Sequence, residues 1–201
     1  MDHLAGQALI FHQVRKYLLL LDVRKEHVKF WRPQMLLLVD NPKSSCSLIH
    51  FVNRMKKSGL YIIGHVTTGD FDLQIKDPTV DQHLAWMDLI NHLNVKAFVD
   101  LTIAATVRAG AQHIIRLSGI GGMRPNTIIM GFLEQEAHKD ELGHPDSPFY
   151  DEQLAAINFV PNSNNKMSPM EYVLTLNDIL KLGKGQTHCK PLISSHDVCD
   201  F

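Results

Sequence analysis

The chain has 201 residues, 45% of them apolar, which suits one α/β-sized domain with a real core rather than a string of domains. Its 20 Lys and Arg against 21 Asp and Glu leave a net charge of −1, which excludes the strongly basic character that non-specific nucleic-acid binding needs. Three cysteines, Cys46, Cys189 and Cys199, are too few and odd in number for a disulfide framework; without a glycosylation sequon they point to a reduced, cytosolic setting.

Taken in chain order, residues 4–21 predict an amphipathic helix. Leu9, Ile10, Val14, Tyr17, Leu18 and Leu21 recur at three- and four-residue spacing, with Gln13, Arg15 and Lys16 opposite. The chain opens almost directly into this helix, which suits a segment attached to something upstream. The stretch before Pro33 is basic, with Arg15, Lys16, Arg24, Lys25, Lys29 and Arg32 against Asp2, Asp22 and Glu26; such a segment fits either a solvated helix face or an anionic membrane surface. No apolar run is long enough to cross a bilayer.

Gln34–Asp40 then predicts a buried strand. Ser44–Ser58 predicts a helix closed by Gly59, and Leu60–Val66 a second strand. A helix is expected over Thr79–Leu93 after the start signal Asp77-Pro78, and a strand over Val95–Leu101. Ala104–Leu117 reads as a helix and Thr127–Phe132 as a fourth strand. Short apolar strands alternating with helices imply right-handed crossovers and a mostly parallel sheet covered on both faces, a Rossmann-like or universal-stress-protein-like α/β fold preceded by a connector helix. Residues 133–168 are polar and acidic, and are expected to form a long mobile loop. Ser168-Pro169 caps a last helix, Met170–Leu182, and residues 183–201 show no period. The organisation is therefore connector helix and link 1–29, α/β domain 30–132, acidic loop 133–168, helix 169–182 and irregular tail 183–201.

Open parallel sheets bind ligands beyond the carboxyl ends of their strands. Asp40, Lys43, Ser44 and Ser45 stand at such an end, where helix N–H groups and one ammonium can hold a phosphate. The competing reading is an Asn-Pro turn with a serine-capped helix. No GxGxxG or Walker A pattern accompanies them. Gly119, Ile120, Gly121 and Gly122 follow a helix and precede a strand, which places them at the opposite, amino edge; there glycine ends a helix at positive φ and turns the chain. The histidines form no HExxH; His138 and His144 sit among acids of the long loop. His188, Cys189, His196 and Cys199 match no zinc-finger spacing. His65 is expected to satisfy backbone, and Trp31 and Trp86 to anchor packing. Ser44, Thr67, Thr68 and Asp100 pair no nucleophile with a base, so no catalytic residue and no enzyme is expected.

Two long words carry a family resemblance. Gln7–Leu18 with His27–Val39, the latter containing Phe30-Trp31-Arg32-Pro33-Gln34-Met35, resembles the start of the cytosolic C-terminal domain of cation–chloride cotransporters, solute carrier family 12. Ser118–Thr127 looks like that family's glycine-rich segment before its fourth strand. With Gly59–Val66 and Val95–Thr102, the branch resembled is that of the cation–chloride cotransporter-interacting protein. The likeness covers residues 7–132 and returns weakly at Pro169–Leu182, while Gly183–Phe201 departs from the family's continuation into a second α/β half.

The resemblance implies a regulatory, dimerising domain on the cytosolic face of a membrane, without the membrane-spanning ion sites. Its first helix would be the connector from the last transmembrane helix. Implied partners are the transmembrane domain of the parent and a second copy or a related cotransporter, with no nucleic acid. No cofactor or metal is implied beyond the adenine nucleotide, such as ATP, that some relatives bind near the first strand. The rival reading is a nucleotide-sensing module of universal-stress-protein type, built on Asp40, Lys43, Ser44 and Ser45.

Overall fold

The structure, a computed structural model, describes residues 2–21, 32–73, 75–131, 133, 140–157, 159 and 167–182. Helix α1 spans Asp2–Leu20, strand β1 Met35–Val39, helix α2 Cys46–Met55 and strand β2 Tyr61–Thr68. Helix α3 (Pro78–His92), strand β3 (Phe98–Ala104), helix α4 (Val107–Leu117) and strand β4 (Thr127–Met130) follow. Helices α5 (Glu152–Ala156) and α6 (Pro169–Leu182) complete the order.

The four strands make one all-parallel sheet in the order β3-β2-β1-β4. Alternate strand residues face opposite layers because a strand repeats every two residues. Leu37 and Ile63 pack with Ile49 and Val52 of α2 and Trp86 and Leu89 of α3. Leu36 and Ile62 pack on the other face with Ile114 of α4 and Ile179 of α6. Each such side chain contributes roughly 1.5–3 kcal/mol by leaving water.

The predicted start signals operate. Asp77 accepts from the Thr79 amide at 2.9 Å with Pro78 in the first turn of α3. Ser168 and Glu171 form a reciprocal capping box at α6, both bonds 3.2 Å long. Thr106 caps α4, accepting from the Ala109 amide at 3.1 Å. Other boundaries move. Strand β3 begins three residues later than expected and runs to Ala104, because β2 extends to Thr68 and keeps pairing with it. The start of α2 is preceded by a separate 3-10 turn, Pro42–Ser44. Gly59 is not the left-handed residue after α2; Lys57 is, at φ 53°. Gly59 is glycine for another reason: a Cβ there would stand 2.1 Å from the Pro33 carbonyl oxygen.

Two readings need larger correction. Helix α1 is not amphipathic in place. Leu9, Ile10, Phe11, Val14, Tyr17, Leu19, Leu20 and Leu21 are all exposed, so no single face is buried. The described part of 133–168 is also more than a loop. It carries α5 and buries Leu142, Leu154 and Phe159 against the α2 and α3 layer. The tail 183–201 lies outside the described residues.

Candidate functional site at the carboxyl edge

Strand order β3-β2-β1-β4 puts the reversal of the winding between β1 and β4. In sheets of this kind the ligand crevice lies beyond the carboxyl ends there. The structure brings Lys43, Ser44 and Ser45 to that place, and Asp40 directly follows β1. Asn41 closes the turn, its side chain accepting from the Lys43 amide at 3.0 Å, and Ser44 Oγ donates to the Asn41 carbonyl at 3.4 Å. Ser45 makes no side-chain capping bond.

The chain itself fills much of this crevice. Glu141 Oε2 accepts from the Ser47 amide at 2.7 Å and from Ser47 Oγ at 3.0 Å, so a carboxylate satisfies an open N–H of the α2 N-terminus. Lys43 Nζ donates to the Ala155 carbonyl at 2.6 Å. The Glu141 amide in turn donates to the Lys43 carbonyl at 2.9 Å. An incoming phosphate must therefore displace Glu141 and re-aim Lys43. Sequence reasoning missed Glu141 and Ala155; isolated Leu142 and Leu154 in a polar stretch were the available sign that this segment returns to the core.

Beneath the turn, Cys46 is fully buried, and burial followed by the Glu141 and Asp140 carboxylates pushes its thiol up to about 12. It is a packing residue at neutral pH. His65 places Nδ1 3.0 Å from the Val39 carbonyl, its ring 5.6 Å from that of Trp86. Burial lowers its pKa, so it stays neutral. Its partner is backbone, as expected, though of a strand rather than a loop. Thr67 Oγ1 donates to Gln82 Oε1 at 3.0 Å.

Among the described residues no three His, Cys, Asp or Glu side chains stand close enough to hold a metal ion. His144 lies 3.7 Å from Asp146 on an exposed turn. His138, His188, Cys189, His196, Cys199 and Trp31 lie outside the described residues. A cavity of about 630 Å³ opens along the free edge of β3, between α3 and α4, lined by Leu84, Asp100, His113 and Leu117 among others. The glycine turn stands at the amino edge, with Gly119 at φ 87° and Gly121 at φ 57°. Gly122 is not at positive φ; it faces Leu21 of the segment after α1. Among the described residues no helix is long and apolar enough to cross a membrane.

Against known proteins, residues 45–142 match the family model for solute carrier family 12. Solute carrier family 12 member 9 of Danio rerio is 47% identical over 194 residues, 89% of this chain and 22% of that protein. The Xenopus laevis protein of the same name is 59% identical over 144 residues, 72% of this chain and 16% of that protein. Vacuolar cation-chloride cotransporter 1 of Saccharomyces cerevisiae is 44% identical over 138 residues, 68% of this chain and 12% of that protein. The chain spans about a fifth of the length of the first of these relatives. It belongs to solute carrier family 12.

Proposed function

We propose that, within a solute carrier family 12 protein, this chain is the cytosolic regulatory and dimerisation domain of a cation–chloride cotransporter. It supports chloride-coupled cation transport without forming the ion path and carries no catalysis of its own. The observation that carries this reading is the state of α1. A helix with Leu9, Ile10, Phe11 and Leu20 all exposed leaves apolar surface that needs a cover outside its own domain. A connector packed beneath a transmembrane domain, or against a second copy, supplies that cover. In the whole parent protein, replacing Leu9, Phe11 and Leu20 with Ser should lower both subunit cross-linking and chloride-dependent flux at unchanged surface level. Normal cross-linking and flux would sink the reading.

The second reading is an adenine-nucleotide sensor at Asp40, Lys43, Ser44 and Ser45. It is favoured by the position of Lys43 at the reversal of the winding and by the affinity of the α2 start for an anion, now met by Glu141. If it holds, ATP raises the melting temperature by mass action, and Lys43→Ala abolishes the shift. No shift at millimolar ATP removes it.

A further inference from the structure

The near-zero net charge conceals a strong polarity. In a parallel sheet every loop that follows a helix and precedes a strand falls on one edge. Here those loops, with the last two residues of α2 and of α4 and the residues just before β1, cover 32–34, 54–60, 93–97 and 116–126. They hold Arg32, Arg54, Lys56, Lys57, Lys96, Arg116 and Arg124 and not one Asp or Glu. All but Lys56 are exposed. The loops that leave β1 and β2 at the other edge carry Asp40, Asp70, Asp72 and Asp77 against Lys43 and Lys76.

Among the described residues no ion pair joins these cations to a carboxylate. Lys56 donates to the Lys96 carbonyl, and burial followed by the Lys96 charge lowers its pKa. Arg32 donates to Ser58 Oγ at 2.8 Å, and its own carbonyl accepts from Asn126 at 3.0 Å. Asp151 reaches the end of α3 nearby, where His92 Nδ1 takes it at 3.2 Å. The apolar helix arrives at this same edge. A Cβ on Gly121 would lie 3.5 Å from the Leu18 carbonyl oxygen, and one on Gly122 would lie 3.0 Å from Leu21 Cβ.

We propose that the amino edge of the sheet is a lipid-facing surface, seating Arg32, Arg54, Lys57, Lys96, Arg116 and Arg124 on anionic phospholipid headgroups. The inference rests on the reading of the chain as part of a membrane protein. A basic surface beside an exposed apolar helix is the pairing that an anionic bilayer satisfies on both counts: charge at the headgroups, apolar side chains below them. The acidic edge of a second copy, which exposes Phe71, Leu73 and Ile75, is the competing cover, and the test below separates the two. The carboxyl-edge crevice then faces away from the bilayer.

The test uses the full chain and vesicles of phosphatidylcholine mixed with phosphatidylserine, against phosphatidylcholine alone. The chain should sediment with the anionic vesicles and be released by raised salt, since exposed charges are screened. Lys57→Glu, Lys96→Glu and Arg124→Glu together should weaken the binding by about a hundredfold or more, from the contribution of each cation near such a surface. Asp70→Lys with Asp72→Lys, at the opposite edge, should not weaken it. Circular dichroism melts confirm that both variants fold. Binding unmoved by the triple reversal, equal binding to uncharged vesicles, or equal salt-sensitive binding to RNA would each overturn the proposal. Absence of vesicle binding by a chain that still self-associates would overturn it too, while leaving the dimerisation-domain reading in place. Self-association lost on charge reversal, with vesicle binding intact, would assign the edge to a second copy instead.

Discussion

Helices α1 and α4 both end at the glycine turn of the amino edge, yet their apolar residues meet opposite fates. Ile114 of α4 is 4% exposed, whereas Ile10 and Phe11 of α1 are 61% and 73% exposed. The difference lies in where the apolar residues stand around each axis. Ala111 and Ile114 form one stripe over β2 and β3, and Arg108 and Gln112 reach the neighbouring α6. In α1 the apolar residues occupy consecutive positions, Leu9-Ile10-Phe11 and Leu18-Leu19-Leu20, so they point all round the helix. One sheet face can bury a stripe but cannot wrap a cylinder. A helix of the second kind is completed by something that surrounds it.

The largest expected effect separates the two helices directly. Ile114→Ala should lower the free energy of unfolding by about 3 kcal/mol, through lost burial and the cavity left behind. Ile10→Ala should change it by less than about 0.5 kcal/mol, because that side chain already meets solvent. Urea midpoints of both variants check this; equal losses would mean that α1 packs on its own domain after all. Next comes the turn at which the two helices meet. Gly121 holds φ 57°, where a β-branched residue is strained, so Gly121→Val should cost about 2 kcal/mol. Nucleotide affinity of the surviving folded protein should be unchanged, since Lys43 lies at the opposite edge. Lost binding with an unchanged midpoint would return this turn to a phosphate-loop role.

A smaller effect tests how α4 is held on its outer side. Arg108 Nε donates to Asp178 of α6 at 2.5 Å, and Gln112 adds a bond of 2.7 Å. The Arg108 and Gln112 hydrogen bonds bring the Asp178 carboxyl from its ordinary 3.8 down to about 2. A folded pKa below the unfolded one stabilises above 3.8 and is lost as pH falls through that value toward about 2. Asp178→Asn should therefore lower the melting temperature at neutral pH and flatten its decline over that acid window. An unchanged acid slope would show that the pair does not hold α6 to α4.

Legibility followed the range of each interaction. The strand through Met35–Val39 was readable because its burial is a local apolar run, and α3 and α6 announced their starts through Asp77-Pro78 and Ser168-Pro169. The site was only half readable. Lys43 and the serines are adjacent in the chain, but Glu141 lies 94 residues from the Ser47 that it bonds. Nothing in the local pattern of either residue announces that bond. Helix α1 misled for a related reason: spacing can suggest a buried face, but only a neighbour can bury it.

By itself, the sequence determined the alternation of strands and helices, the parallel sheet and the family, because residue periodicity and long motifs are properties of neighbouring residues. The tertiary structure alone decided that the carboxyl crevice is filled by the chain's own Glu141, that α1 stands uncovered, and that one edge is basic. Charges scattered from Arg32 to Arg124 become one surface only because parallel crossovers return every helix end to the same side of the sheet.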